Sequence, residues 1–210
     1  MADPRVAVFV DYQNCYGIAR ETYCGGRDAP QNQGHFWPVN LAKELAVAGR
    51  RHYQLTFVGV YCGVADPRKA PRTAAARHNQ IEAWKLSGAQ VFTRQLRYPK
   101  NWPKVPAEEK GIDVKLALDL VTKAINRDFD VGIIASCDTD LAPAVEAVLG
   151  LPGSDVPEVE VMAWPGRSGK IGVPGRKLAV RQIGRNEFQQ IQDLTDYNER
   201  VGSRSRSRPG

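Results

Sequence analysis

The sequence contains no long apolar run. Stretches such as VAVFV and VGIIA are about five residues long, against the roughly 20 that a membrane span needs. The opening MADPRV has no basic region followed by an apolar one, so no signal peptide is expected. Cysteine is scarce. Cys15, Cys24, Cys62 and Cys137 form no CxxC pair, which argues against a zinc site or a disulfide framework. They read as reduced thiols of a cytoplasmic protein, with a Cys15–Cys24 bridge as the alternative. The histidines His35, His52 and His78 are scattered, with no HxxxH and no evident serine partner. Zinc and triad chemistry are therefore not assigned. SGKIG lacks the full G-x-x-x-x-G-K-[ST] of a phosphate-binding loop and is declined.

What is present is ordinary globular composition over 210 residues, with a net charge of +6. That length fits one domain with a real core. The basic excess fits a polyanionic partner without requiring one. Part of it sits in the tail GSRSRSRPG, where Arg204, Arg206 and Arg208 follow Arg200. Serine, glycine and like charges give this tail no core to bury, so residues 201–210 should be disordered, and residues 1–200 should form the domain.

Short apolar stretches alternate with helical patterns. RVAVFVD, QLTFVGVYCG, AQVFTRQL, DVGIIA and EVEVMAW read as five strands. Helices are expected over 39–50, 73–86, 111–126 and 139–149, and 20–38 reads as a long loop. The last 30 or so residues suggest a short strand-like piece and a short helix around Phe188. This order indicates an α/β sandwich, with helices on both faces of a mainly parallel, about five-stranded sheet. In such sheets functional residues gather beyond the carboxyl ends of the strands.

Four carboxylates are expected at that edge. Asp11 follows the first strand directly, and Asp138 and Asp140 follow the fourth. Asp113 opens the helix leading into the fourth strand. At 100° per residue it shares a face with Leu116, Ala117, Leu120 and Ala124, the face that packs on the sheet. Bare carboxylates at an apolar sheet edge repel one another and raise one another's pKa unless a cation is present. A hard divalent ion, Mg2+ or Mn2+, resolves this. Taken singly, each aspartate could instead be a helix cap, Asp138 above all. Asp119, further along the same helix, reads as an outer residue or a solvated one.

Three segments carry a family resemblance: VFVDYQN, EEKGIDVKLALDL and DVGIIASCDTDLAPAVEAV. D-x-x-N, K-G-x-D-V and S-x-D-x-D, in that order, resemble the NYN domains of the PIN-like nucleases over roughly residues 5–165. The resemblance implies a PIN-like fold and a metal-dependent ribonuclease. It makes Asp11, Asp113, Asp138 and Asp140 metal ligands and Asn14 a supporting polar residue. The chain departs from the family's pattern in having Cys137 where glycine is usual, Tyr12 where a small residue is common, and an apparent insertion at 20–38.

The remaining candidates concern substrate. Lys110 could reach a phosphate, Ser136 could point into the site or close its turn, and Asn14 could bond a carboxylate or form a turn. Arg68, Lys69, Arg72 and Arg77 follow the second strand. Arg94, Arg97, Lys100 and Lys104 follow the third, interleaved with Tyr98 and Trp102. Arg167, Lys170, Arg176 and Lys177 follow the fifth. Such loops suit an RNA backbone and unpaired bases, with single-stranded DNA left open. The alternative to an endoribonuclease is a non-catalytic RNA-binding module on the same scaffold. A homodimer is compatible with the sequence.

Overall fold

The computed structural model describes residues 2–26, 28–30, 32–47, 52–166 and 171–198. Arg167, Lys170, Arg200 and the Arg/Ser tail lie outside the described residues.

The chain runs β1 (Arg5–Asp11), α1 (Tyr12–Tyr23), α2 (Pro38–Val47), β2 (Gln54–Val64), α3 (Pro71–Leu86), β3 (Gln90–Gln95), α4 (Ile112–Ile125) and β4 (Val131–Ala135). A short 3-10 turn, Thr139–Leu141, then leads into α5 (Ala142–Leu149), β5 (Glu158–Ala163), β6 (Ala179–Gln182) and α6 (Arg185–Ile191). All neighbouring strands pair in parallel. The sheet has six strands in the order β3-β2-β1-β4-β5-β6, one more than expected, because the strand-like piece near the end joins its edge.

The period-2 alternation of β1 builds both cores. Val6, Val8 and Val10 pack on one face with Cys15 and Ala19 of α1, Leu41 and Leu45 of α2, and Trp84 of α3. Ala7 and Phe9 pack on the other with Leu116 and Leu120 of α4 and Val145 of α5. The molecule is thus a three-layer α/β/α sandwich. In it β1 and β4 are buried almost throughout, which explains their unbroken apolar runs.

The first helix corrects the expected loop. α1 begins directly after Asp11 and continues to Tyr23, and α2 begins at Pro38, so the loop expected from residue 20 starts only after Tyr23. Its buried residues, Tyr12, Cys15 and Ala19, recur at helical spacing. The four cysteines are free of disulfides, so Cys15 and Cys24 are not bridged. Among the described residues no helix is long and apolar enough to cross a membrane.

Sheet order fixes where a site can form. From β1 the chain moves to β2 and β3 on one side, then crosses back to β4 on the other. The helices leaving β1 and β4 diverge there, opening a crevice beyond the carboxyl ends of these two strands.

Candidate active site

Asp11 stands at the end of β1, in register one step beyond the Val10–Ala135 pair. It is buried, with 8% of its surface exposed. Its Oδ1 accepts the Asn14 N–H at 3.3 Å, capping α1. Its Oδ2 accepts the Ser136 hydroxyl at 2.9 Å. Ser136 Oγ in turn accepts the Asp138 N–H at 3.0 Å. Asn14 Oδ1 accepts the Cys137 N–H at 2.9 Å. These bonds tie the end of β1 to the end of β4, and both polar candidates, Asn14 and Ser136, serve that junction.

Asp138 caps the turn after β4: its Oδ1 accepts the Asp140 N–H at 3.0 Å. The capping role anticipated for it is therefore real, and it leaves the carboxylate with further acceptor capacity. Asp113 lies in the first turn of α4, where the helix dipole favours negative charge. The buried face of that helix is Ile112, Leu116, Leu120 and Ala124, and Asp113 is half-buried at its edge.

A cleft of about 400 Å3 brings Asp11, Asp113 and Asp138 together with Asn14 and Lys110. It also holds Glu109, which was not singled out in the sequence. Glu109 belongs to the E-E-K-G-x-D run, and adjacency to K-G-x-D was the available signal. Its carboxylate accepts the Gly63 N–H from β2. A Cβ at Gly63 would stand 2.5 Å from the Glu109 oxygen, so only glycine admits that carboxylate without a shift. Gly111, at φ 75°, sits in the left-handed region and starts α4 between Lys110 and Asp113.

Asp140 is exposed and outside the lining of the cleft. Asp119 is engaged elsewhere, accepting the Tyr61 hydroxyl at 2.8 Å and pairing with Lys115. Cys137 is half-buried, and its backbone is not in the left-handed region, so the position does not demand glycine.

The electrostatics follow from burial. Desolvation pushes Asp11 up from 3.8 to about 6, against the opposing Ser136 and Asn14 hydrogen bonds, and the charges of Glu109 and Asp138 add to the rise. Desolvation also raises Glu109, with Asp113 contributing.

The donor set is all oxygen and suits a hard divalent ion. Among the described residues, no three His, Cys, Asp or Glu side chains are already drawn together as a metal cage. Mg2+ does not require one, since it usually keeps several waters and takes one or two carboxylates plus substrate phosphate. The buried Asp11, whose raised pKa a nearby cation would bring down, and the half-buried Glu109 and Asp113 fit such a site.

The basic residues split into two kinds. Arg68 is tied to Asp66, with Nη2 3.1 Å from Oδ2. Arg77 lies over the Tyr12 ring at 5.1 Å and donates to Gln80, so it is not part of a solvated cluster. Lys69 covers Tyr98 at 4.4 Å, and Tyr98 meets Trp102 edge-to-face. Arg94 lies against Gly111. Arg72, Arg97, Arg176 and Lys177 are exposed.

The profile of the NYN domain matches residues 5–156. The chain belongs to the NYN domain family. NYN domains are part of the PIN-like nuclease superfamily. The chain is also similar to a crystal structure of a protein of unknown function from Vibrio parahaemolyticus. That likeness has a TM-score of 0.51 at 21% identity, over 78% of this chain and 83% of the other, and it bears on the fold alone. No curated protein matches the chain. Within the NYN domain the matched span takes in Asp11, Glu109, Asp113 and Asp138, and leaves out β5, β6 and α6.

Proposed function

We propose that this NYN domain is a metal-dependent endoribonuclease that hydrolyses phosphodiester bonds of RNA in single strands or loops. The observation that carries the reading is the convergence of Asp11, Glu109, Asp113 and Asp138 on one cleft at the sheet's switch point. Asp11, Asp113 and Asp138 are assigned as ligands of Mg2+ or Mn2+. Glu109 takes the inner position that the sequence had suggested for Asp140, and Asp140 becomes an outer carboxylate. When bound, the ion neutralises phosphate charge and lowers the pKa of a bound water.

The chain's own groups do the rest. Lys110, exposed at the rim, pairs with the phosphate next to the scissile bond. Glu109, its carboxyl raised by burial and fixed by the Gly63 N–H, accepts the proton of the attacking water. The water oxygen bonds to phosphorus, the bond to the leaving oxygen breaks, and that oxygen is protonated from solvent. Ser136 and Asn14 hold Asp11 and the 136–138 turn in place. Arg72 and Arg97 attract the RNA backbone, with Arg68 secondary because Asp66 engages it. The free thiols support a cytoplasmic setting.

The alternative is a non-catalytic RNA-binding module. It is favoured by the capping roles of Asp11 and Asp138 and by the open arrangement of the carboxylates. Incubation with unstructured RNA, structured RNA and single-stranded DNA, with Mn2+ or with chelator, separates the two. Metal-dependent cleavage that Asp113→Asn abolishes supports the nuclease. Binding without any cleavage leaves the module.

A further inference from the structure

A second cavity, of about 350 Å3, lies beside the carboxylate cleft, and Gln13 lines both. α1 begins at the cleft with Asp11 as its cap, and Gln13 sits in its first turn. α3 supplies a second wall. Thr73, Ala76, Arg77 and Gln80 face the cavity at the i, i+3, i+4 and i+7 spacing of one helical face. Arg77 is also close enough to the cleft for its charge to oppose the rise in the Glu109 pKa.

Arg77 is held in one orientation. Its Nη1 donates to Gln80 Oε1 at 3.0 Å, and the buried Gln80 donates through Nε2 to the Tyr12 hydroxyl at 3.1 Å. The guanidinium carbon lies 5.1 Å from the centre of the Tyr12 ring and 5.9 Å from that of Trp84. Stacked on two aromatic faces and bonded to a fixed amide, the group is oriented before any ligand arrives.

What it lacks is a counter-charge. Arg77 is half-buried, yet among the described residues no carboxylate pairs with it. Gln80 engages one nitrogen, and the others have no protein partner and are not sealed from solvent. The carboxylate in the lining, Asp196, is exposed and turned into its own loop, where Oδ1 accepts the Asn198 N–H at 2.9 Å and the Asn198 side-chain amide at 3.1 Å. Arg20 adds a second guanidinium to the lining and donates to the Ala29 carbonyl. The exposed Gln13 amide and Thr73 hydroxyl make no hydrogen bond among the described residues. A partly desolvated cation without a partner is costly, and an anion in the cavity removes that cost.

We propose that Arg77 is a positioning residue that holds one backbone phosphate of RNA in this cavity, at a fixed place along the strand from the cut. The place relative to the cut rests on the ribonuclease reading; the grip on phosphate does not. A guanidinium presents a fork of donors that matches two phosphate oxygens, and the phosphate supplies the missing negative charge. Gln13 and Thr73 stand in the same lining to donate to the remaining oxygens. With one phosphate anchored here, a strand running along α1 is set in register over the carboxylates, which is how a group remote from the reacting atoms assists them.

The test has two arms on the full chain. The first measures filter binding of single-stranded RNA in chelator at four salt concentrations. Arg77→Gln keeps a donor for Gln80 but loses the charge, so the slope of log affinity against log salt should flatten by about 0.7. Thr73→Glu sets a carboxylate one turn before Arg77 at an exposed position, where it pairs with the guanidinium and takes the phosphate's place. It should flatten the slope likewise. Ala75→Glu adds the same charge at an exposed position outside the cavity and should leave the slope nearly unchanged. If Arg77→Gln fails to fold, the two glutamate variants decide, and equal slopes for them overturn the contact. In the second arm, a short RNA cut at one bond with Mn2+ carries a neutral methylphosphonate at each position in turn. One position should slow wild-type single-turnover cleavage about tenfold or more, as a lost hydrogen bond to a charged group gives. That penalty should vanish in Thr73→Glu and Arg77→Gln, because the contact is already gone. No such position, or a penalty that the variants keep, overturns the proposal and leaves the nuclease standing. If no RNA is cut, the first arm decides alone. Flattened slopes then uphold the phosphate contact while the nuclease fails, and unchanged slopes overturn it.

Discussion

Ser136 Oγ donates to Asp11 Oδ2 at 2.9 Å across the ends of the two central strands. The same oxygen accepts the Asp138 N–H. One hydroxyl thus orients the Asp11 carboxylate and holds the backbone of Asp138, and its bond favours the charged form of Asp11. Ser136→Ala should push Asp11 further above about 6. Protonated Asp11 cannot hold a cation, so the acid limb of cleavage against pH should move upward at subsaturating Mg2+. Excess metal should restore the wild-type limb by competing with the proton. A pH profile at two metal concentrations measures both effects. An unshifted limb would show that Asp11 does not govern metal binding.

Asp11 also makes a stability prediction of definite sign. Its folded pKa, about 6, lies above its ordinary 3.8, so the folded chain holds the proton more tightly. This group's contribution is therefore most favourable below about pH 4 and is lost as pH rises through 6. At pH 7.5 the metal-free protein carries a penalty of roughly 3 kcal/mol at most. Asn is a good helix cap, so Asp11→Asn should keep α1 capped. The variant should be the more stable protein at pH 7.5 without metal, and the difference should vanish near pH 4. Divalent metal should stabilise the wild type only, by about 2.7 kcal/mol at 100 times its dissociation constant. Urea melts at the two pH values check this. A less stable variant at pH 7.5 would make Asp11 a structural cap.

Glu109→Gln separates chemistry from folding. The amide oxygen can still accept the Gly63 N–H, so the β2 contact survives. Proton transfer does not. General-base contributions are about 100-fold to 10,000-fold. Single-turnover cleavage should fall within that range, while the melting temperature and RNA affinity hold. Wild-type cleavage by this variant would move the base elsewhere.

Asp138 and Asp140 should part company. Asp138→Asn keeps the cap on the Asp140 N–H but weakens the ion site, so cleavage should drop by orders of magnitude without unfolding. Asp138→Ala should additionally cost about 1 kcal/mol for the lost cap. Asp140→Asn, exposed and outside the cleft, should change cleavage by about fivefold or less. Metal titrations of single-turnover rates decide. Equal losses at the two positions would return Asp140 to the inner shell.

Much of this was legible in the chain. The runs RVAVFVD and VGIIA announced β1 and β4 because strands buried on both faces read as unbroken apolar stretches. Asp113 was placed by helical periodicity alone. The rest was hidden for physical reasons. α1 was missed because Gly17 and Asn14, poor helix formers, interrupt a pattern that packing of Tyr12, Cys15 and Ala19 overrides. The strand-like piece near the end was legible, but not its place in the sheet: β6 is a four-residue edge strand, AVRQ, whose pairing is not a local property. Glu109 looked like one acidic residue in a loop. Its inward position depends on Gly63, 46 residues away in sequence. Asp140 was grouped with Asp138 because spacing in the sequence cannot say which of two neighbours a 3-10 turn aims at the cleft.

The basic loops give the last prediction. Each phosphate neutralised on a single strand contributes a slope of about −0.7 in log affinity against log salt. Arg72 and Arg97 are exposed, so each is expected to supply one such contact. Arg68 is partly spent on Asp66, through both a side-chain pair and a backbone bond at 2.9 Å. Arg72→Ala and Arg97→Ala should therefore each weaken RNA binding and flatten the slope by about 0.7, and the double variant by about twice that. Arg68→Ala should flatten it less. None of the three touches the carboxylate cleft, so cleavage at saturating RNA should persist in all, because uniform binding is lost rather than transition-state stabilisation. Filter binding at four salt concentrations, paired with single-turnover cleavage, measures both quantities. A slope unchanged in the double variant would remove these loops from the RNA path. A collapse of saturated cleavage would place Arg72 or Arg97 at the reacting phosphate.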